Sequence, residues 1–145
     1  MTPVDLADVV AVEQQAYAWP WSQGNFADSL RSGYHAIVLR GGARLVGYLV
    51  AMPGVEEAHL LNITVAPEFQ RQGHASLLLQ ALNLWARGIG ARCLWLEVRA
   101  SNRQALAVYE HQGFRRVGLR RGYYPHGGGP DGRQREDAVV MSHAL

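Results

Sequence analysis

Gln70-Arg71-Gln72-Gly73-His74-Ala75 joins two stretches of opposite character. Before it, Leu60-Leu61-Asn62-Ile63-Thr64-Val65 is apolar and β-branched, the pattern of a strand, and Ala66-Pro67-Glu68-Phe69 interrupts it. After it, Leu77, Leu78, Ala81, Leu82 and Trp85 recur at helical spacing, so a helix should bury them until Gly88 and Gly90 end it. The centre is therefore strand, glycine-bearing turn, helix. Such a turn aims several backbone N–H groups into one concavity beside the positive end of a helix. Arg71 and His74 add donors, so the stretch can cradle a pyrophosphate. On spacing alone the mark is weak, because a strand-to-helix turn with one glycine is common. The lysine of a P-loop and the three glycines of a dinucleotide fingerprint are absent.

A chain of 145 residues, 48% of them apolar, predicts one domain with a sizeable core. A net charge of +2 does not point to nucleic-acid binding. Cys93 is the only cysteine, which excludes an intrachain disulfide and suits a reducing compartment. It lies in an apolar run and reads as a buried thiol rather than a nucleophile. No window reaches membrane-span length, and the N-terminus lacks a basic-then-apolar leader. The expectation is a cytoplasmic, monomeric protein.

Outward from the centre, Thr2-Pro3 can open a helix through about Ala16, and Ser22 a short second one through Leu30. Trp19-Pro20-Trp21 between them is a rigid aromatic turn, either a packed corner or one wall of a substrate groove. Tyr34–Arg40, Arg44–Ala51 and Glu57–Val65 read as an antiparallel meander with Gly41-Gly42 at its first turn. Arg92–Val98 follows a helix, so it should lie parallel to Leu60–Val65. Ser101-Asn102 starts a helix through about His111, and Gly113 stops it. Phe114–Arg120 and Asp137–His143 close the sheet. Tyr123–Gly132, rich in glycine, reads as a lid or binding loop between them.

Glu97 stands out as a carboxylate at the end of an apolar strand. Partial burial would raise its pKa toward neutrality, as a general base needs, while the bland alternative is a solvent-facing residue or a partner for Arg99. Asn102 is a helix cap by position. Tyr109 lies two turns later on the same helical face, and either packs on Phe114 or reaches a site at the helix start. The histidines have no metal-ligand spacing, so no metal site is expected.

These residues together resemble the GCN5-related N-acetyltransferase family. Gln70–Ala75 matches its Q/R-x-x-G-x-G/A acetyl-CoA motif. The likeness extends through Leu94–Asn102, Tyr109-Glu110 with Gly113-Phe114, Arg121–Pro125 with its paired tyrosines, and Arg135–Val139. It is strongest to members that acetylate the N-terminal alanine of small-subunit ribosomal protein eighteen. The resemblance implies an α/β fold with a central, mostly antiparallel sheet, two splayed parallel strands and flanking helices. It implies acetyl-CoA as cosubstrate. Gln70, Arg71, Gln72, Gly73, His74 and Ala75 would hold the pyrophosphate, backbone near Ile63 and Val65 the pantetheine, and Asn102 a further contact. Glu97 would be the general base and Tyr109 the general acid. Trp19, Trp21, Tyr123 and Tyr124 would flank a peptide N-terminus. Lysine, polyamine or small-amine substrates, and a non-catalytic acyl-CoA-binding protein, are the alternatives. Two features depart from the family pattern. Its customary strand ahead of the first helix has no counterpart before Pro3, and the loop through Gly127-Gly128-Gly129-Pro130 is longer than usual.

Overall fold

A computed structural model describes residues 1–127 and 134–145. Of the segment expected to form a lid, Tyr123–Gly132, residues 128–132, Asp131 included, lie outside them. After a single 3-10 turn at Pro3–Asp5 come α1 (Leu6–Ala16) and α2 (Gln23–Arg31). A meander follows, β1 (His35–Gly41), β2 (Arg44–Pro53) and β3 (Glu57–Val65). Then come α3 (His74–Gly88), β4 (Cys93–Arg99), α4 (Arg103–His111), β5 (Arg115–Pro125) and β6 (Arg135–Ala144). The sheet among these residues runs β1-β2-β3-β4-β6-β5, and only β3 and β4 are parallel neighbours. The mixed α/β architecture is the expected one.

The helix starts follow from local chemistry. Ser22 caps α2, its Oγ accepting the Asn25 N–H at 3.1 Å while Asn25 reaches back to the Ser22 N–H. Asn102 caps α4 by accepting the Ala105 N–H at 3.1 Å. Gly73 begins α3 at φ +87°, a left-handed backbone that costs an L-residue with a Cβ about 1–2 kcal/mol.

Two cores lie on opposite faces of the sheet. One packs α3 and α4 over Leu49, Leu60, Leu94, Leu96 and Met141. The other packs α1 and α2 over Tyr48 and Val50 through Val9 and Phe26. Alternation on β4 sends Leu94, Leu96 and Val98 to the first core and Trp95, Glu97 and Arg99 to the other face. On α3 the buried positions are Leu78, Leu79, Leu82 and Ala86. Leu77, expected inside, is 49% exposed, because the packed stripe centres on Leu78–Leu82–Ala86 and Leu77 sits one 100° step round from it. Gly47 lets β2 pass beneath α3, where a Cβ would sit 2.6 Å from the Thr64 carbonyl and 3.2 Å from Leu78.

Tyr123-Tyr124-Pro125, expected in the loop, instead ends β5, whose last rungs are Tyr124 opposite Glu136 and Pro125 opposite Arg135. The strand is the outer edge of the sheet and is exposed for most of its length, so it carries no inward-outward alternation from which to read it.

Candidate active site

β3 and β4 pair only at Glu57–His59 with Cys93–Trp95. Beyond the His59–Trp95 rung they part, as expected of the splayed pair. A cleft of about 510 Å³ opens there, walled by Ile63, Val65, Asn102, Val108 and Tyr109. Gln70, Arg71, Gly73, His74 and Ala75 form its other end, at the start of α3. The cleft thus brings together most of the sequence-predicted cofactor positions and Tyr109.

The α3 end is built for an anion. Arg71 at φ +61° and Gly73 at φ +87° turn the backbone twice through the left-handed region, aiming successive N–H groups into one hollow. Among the described residues no side chain caps α3, so its first N–H groups are left for a ligand. A Cβ placed on Gly73 would meet nothing within 4 Å, which leaves room for a phosphate to approach the backbone. These observations fit a pyrophosphate. Gln72 does not join the wall; its Nε2 reaches back 3.5 Å to the Glu68 carbonyl.

The strand backbone is already partly engaged. The Ile63 carbonyl accepts the Tyr17 hydroxyl at 3.0 Å, and the Val65 carbonyl accepts Gln70 Nε2 at 3.1 Å. Tyr17 itself lines the cleft. Burial, eased by Thr64 and reinforced by Glu13, pushes its phenol up to about 12. Behind it Thr64, Asn62, Glu13 and Tyr48 form a continuous hydrogen-bonded chain.

Tyr109 packs on Phe114 with ring centroids 5.8 Å apart and also faces the cleft, so both readings of it hold geometrically. Burial, with the phenols of Tyr17 and Tyr124 nearby, raises its pKa well above the ordinary tyrosine value. It therefore stays a protonated donor at neutral pH.

Glu97 lies across β4, off the cleft wall. Its side chain is 5% exposed, and both oxygens are taken: His59 Nε2 at 2.6 Å from Oε2 and Arg120 Nη1 at 2.8 Å from Oε1. Burial pushes its pKa up, but the bonds and charges of His59 and Arg120 prevail and hold it below the ordinary carboxylate value. The expectation of a pKa raised toward neutrality is thus corrected. It weighed burial without the two partners, which lie 38 residues before and 23 after.

Arg99 occupies the middle of the expected groove. Its guanidinium lies 5.0 Å from the Trp19 ring centre and 4.5 Å from that of Tyr124, and it donates to the Pro125 carbonyl at 2.7 Å and to Glu136 at 3.3 Å. Trp19, Arg99 and Tyr124 thereby tie the α1–α2 turn to the end of β5. Tyr123 stands beside them, 41% exposed and covered by Arg120 at 4.6 Å. Trp21 does not share this wall. It turns into the second core against Phe26 at 5.1 Å, and its N–H donates to Glu13. Glu136 is committed to Arg99 and the Ser101 N–H.

Sequence reasoning missed Glu13, Tyr17, His59, Arg99 as an organiser, and Arg120. Only His59 carried a signal: a lone titratable side chain inside an apolar strand, the same anomaly that marked Glu97. Among the described residues no three or more His, Cys, Asp or Glu side chains cluster as metal ligands, and no helix is long and apolar enough to cross a membrane.

Residues 6–114 match the Acetyltransferase (GNAT) family. The chain is 41% identical over 140 residues to the [ribosomal protein bS18]-alanine N-acetyltransferase of Escherichia coli K12, covering 95% of this chain and 90% of that protein. A crystal structure of the ribosomal-protein-S18-alanine N-acetyltransferase from Escherichia coli superimposes with a TM-score of 0.88 at 37% identity, over 100% of this chain and 90% of that one. A GNAT acetyltransferase from Elizabethkingia anophelis with acetyl-CoA bound shares the fold, with a TM-score of 0.77 and 24% identity over 93% and 89% of the two chains. With a parted strand pair ending on an open helix start, and with relatives of this identity over nearly its whole length, the chain belongs to the GNAT acetyltransferase family and is an N-acetyltransferase.

Proposed function

We propose that this enzyme transfers the acetyl group of acetyl-CoA to the N-terminal alanine of ribosomal protein bS18. The observation that carries the reading is the 41% identity, over nearly the full chain, to an enzyme of that name. The site supports it on three counts.

The start of α3, with Gln70, Arg71, Gly73, His74 and Ala75, takes the pyrophosphate. The strand pair beyond His59 takes the pantetheine, with Ile63 and Val65 on one wall and Asn102 and Tyr109 on the other. When bound, acetyl-CoA supplies an acyl thioester and a thiolate leaving group. Tyr109, buried and held in its phenol form, donates the proton the sulfur needs. Glu97 serves removal of the proton from the incoming ammonium. A peptide α-amine titrates near 8, so neutralising it is modest work and no acyl-enzyme is required. Half-buried Cys93 at the start of β4 has no part in it.

Trp19, Tyr123 and Tyr124 flank the entry for an extended N-terminus. A small first residue suits a reacting amine that must pass Arg99 and its two aromatic partners. Trp21 supports the entry from behind rather than lining it.

A panel of peptides read by mass spectrometry tests the assignment. It should include free N-terminal alanine, a blocked N-terminus carrying internal lysine, and first residues varied to leucine and tryptophan. The chain contains no lysine, so acetylated lysine in the assay reports only on the peptide. The expected result is acetyl on the alanine amine alone, with kcat/KM falling for larger first residues. Label confined to lysine assigns a different amine class. No turnover with any amine assigns a binding protein.

A further inference from the structure

We infer that the proton acceptor of this site is a Glu97–His59 dyad in which His59 Nδ1 takes the proton and Glu97 orients the ring. The inference rests on the reading that Glu97 serves ammonium deprotonation, and it says where the proton goes.

The geometry is that of an oriented imidazole. His59 Nε2 lies 2.6 Å from Glu97 Oε2, with side chains 11% and 5% exposed. A carboxylate there fixes the tautomer with hydrogen on Nε2 and leaves Nδ1 as a lone pair. Among the described residues Nδ1 has no hydrogen-bond partner. The ring cannot swing, because it stacks on Trp95 with centroids 3.6 Å apart and planes 10° from parallel. His59 and Trp95 also form the last rung before β3 and β4 part, so His59 lies at the strand position where the opening begins, just outside the residues that line the cleft. Arg120 holds the other Glu97 oxygen at 2.8 Å. The further groups around the pair are Tyr124 of β5, whose phenol burial and the Glu97 charge raise, and uncharged Met52 of β2 opposite His59.

Chemical balance asks for such a group. The ammonium nitrogen carries three protons and the product amide one. As the C–N bond forms and the C–S bond breaks, two protons leave the nitrogen. One replaces the proton that Tyr109 gives to sulfur. The other must reach solvent. Glu97 is ill suited to hold it, since both oxygens are occupied and its partners favour the carboxylate form. His59 Nδ1 takes the proton, directly or through one water, and returns it to solvent. Glu97 stays ionised and stabilises the imidazolium.

The test compares His59→Ala, His59→Gln and Glu97→Gln with an alanine-terminated peptide at saturating acetyl-CoA, from pH 5.5 to 9. The His59→Ala and His59→Gln variants should lose roughly 10²–10³-fold in kcat with unchanged acetyl-CoA affinity. Added imidazole should restore part of the rate to His59→Ala and none to Glu97→Gln. Wild-type rates in both His59 variants, or losses that imidazole leaves untouched, overturn the dyad. In that case an impaired Glu97→Gln leaves the Glu97 assignment standing. A fully active Glu97→Gln removes the deprotonation reading itself. Should the His59 variants fail to fold, an NMR titration of the wild-type imidazole decides. Its protonation should follow the acid limb of kcat, and a single protonation state from pH 5 to 9 overturns the proposal.

Discussion

Replacing Glu13 with alanine tests the buried network behind the cleft. The Glu13 side chain is 2% exposed and satisfies three donors: the Tyr48 hydroxyl at 2.6 Å, Asn62 Nδ2 at 3.1 Å and the Trp21 N–H at 3.0 Å. Tyr48 is fully buried and Asn62 9% exposed, so neither finds water when the carboxylate goes. A buried donor left unpaired costs about 1–3 kcal/mol. Two such donors, with a small cavity, bring the loss to about 4 kcal/mol, a large part of the ~5–15 kcal/mol of an ordinary domain. At roughly 2–4 °C per kcal/mol for a chain near this size, Tm should fall by roughly 8–16 °C. Glu13→Gln keeps the volume and one acceptor, and should lose about a third as much. Removing Tyr48's hydroxyl as well should recover part of the loss, because the orphaned donor is then gone. Urea unfolding with matched m-values is the assay. A Glu13→Ala loss under 1 kcal/mol, or strict additivity with Tyr48→Phe, refutes the claim that this carboxylate holds the network together. The same variant should raise the peptide KM, since Trp21 anchors the turn that presents Trp19.

Tyr109→Phe should lower kcat by about 10²–10³-fold while leaving acetyl-CoA affinity within a few-fold, measured by calorimetry beside steady-state rates. Because the Tyr109 pKa is raised, wild-type activity should show no alkaline loss from this group up to pH 10. Gly73→Trp should abolish measurable acetyl-CoA binding at a backbone penalty of about 1–2 kcal/mol in stability, since an added Cβ meets no atom of the described residues within 4 Å; unchanged affinity removes the pyrophosphate assignment. Arg99→Ala should raise the peptide KM about tenfold through loss of the Trp19–Tyr124 bridge and leave acetyl-CoA affinity alone. Glu97 has a depressed folded-state pKa, so its charge stabilises the fold above about pH 4.3 and that contribution is lost as pH falls through the folded value. The stability gap between wild type and Glu97→Gln, followed by urea unfolding from pH 6 to 3, should therefore close on the acid side.

Local chemistry made much of the chain readable. The start of α3, the Ser22 and Asn102 caps and the turns of the meander follow from patterns within a few residues, and the parallel relation of β3 to β4 follows from the helix that joins them. The side of the cleft built by β3, the turn and α3 was legible because those segments are contiguous, whereas Tyr17 reaches the cleft from a distant part of the chain. What was hidden depends on long-range partners. Glu97 looked like a carboxylate with a rising pKa because His59 and Arg120 arrive from two other strands. Trp19 and Trp21 looked equivalent two residues apart, yet one faces Arg99 and the other is drawn in by Phe26 and Glu13. Tyr123–Pro125 looked like loop because an exposed edge strand shows no periodicity. Leu77 and Leu79 differ by which side of a helical stripe they fall on, a distinction that needs the sheet beneath.

β4 explains why core and site are not separate problems here. Its even positions, Leu94, Leu96 and Val98, are buried against α3 and α4, and this burial fixes the strand's rotation. Its odd positions are then presented together on the opposite face, where β3, β5 and the α1–α2 turn hold them. Trp95 stacks on His59 of β3, Glu97 bridges His59 and Arg120 of β5, and Arg99 is gripped by Trp19 of the α1–α2 turn and Tyr124 of β5. A one-residue slip of β4 would exchange the two sets, burying a carboxylate and a guanidinium among leucines. The apolar alternation that stabilises the sheet is thus also what aligns Trp95, Glu97 and Arg99, the groups proposed to receive the amine. Core substitutions at Leu96, whose neighbours in the chain are Trp95 and Glu97, should therefore impair turnover before they unfold the protein.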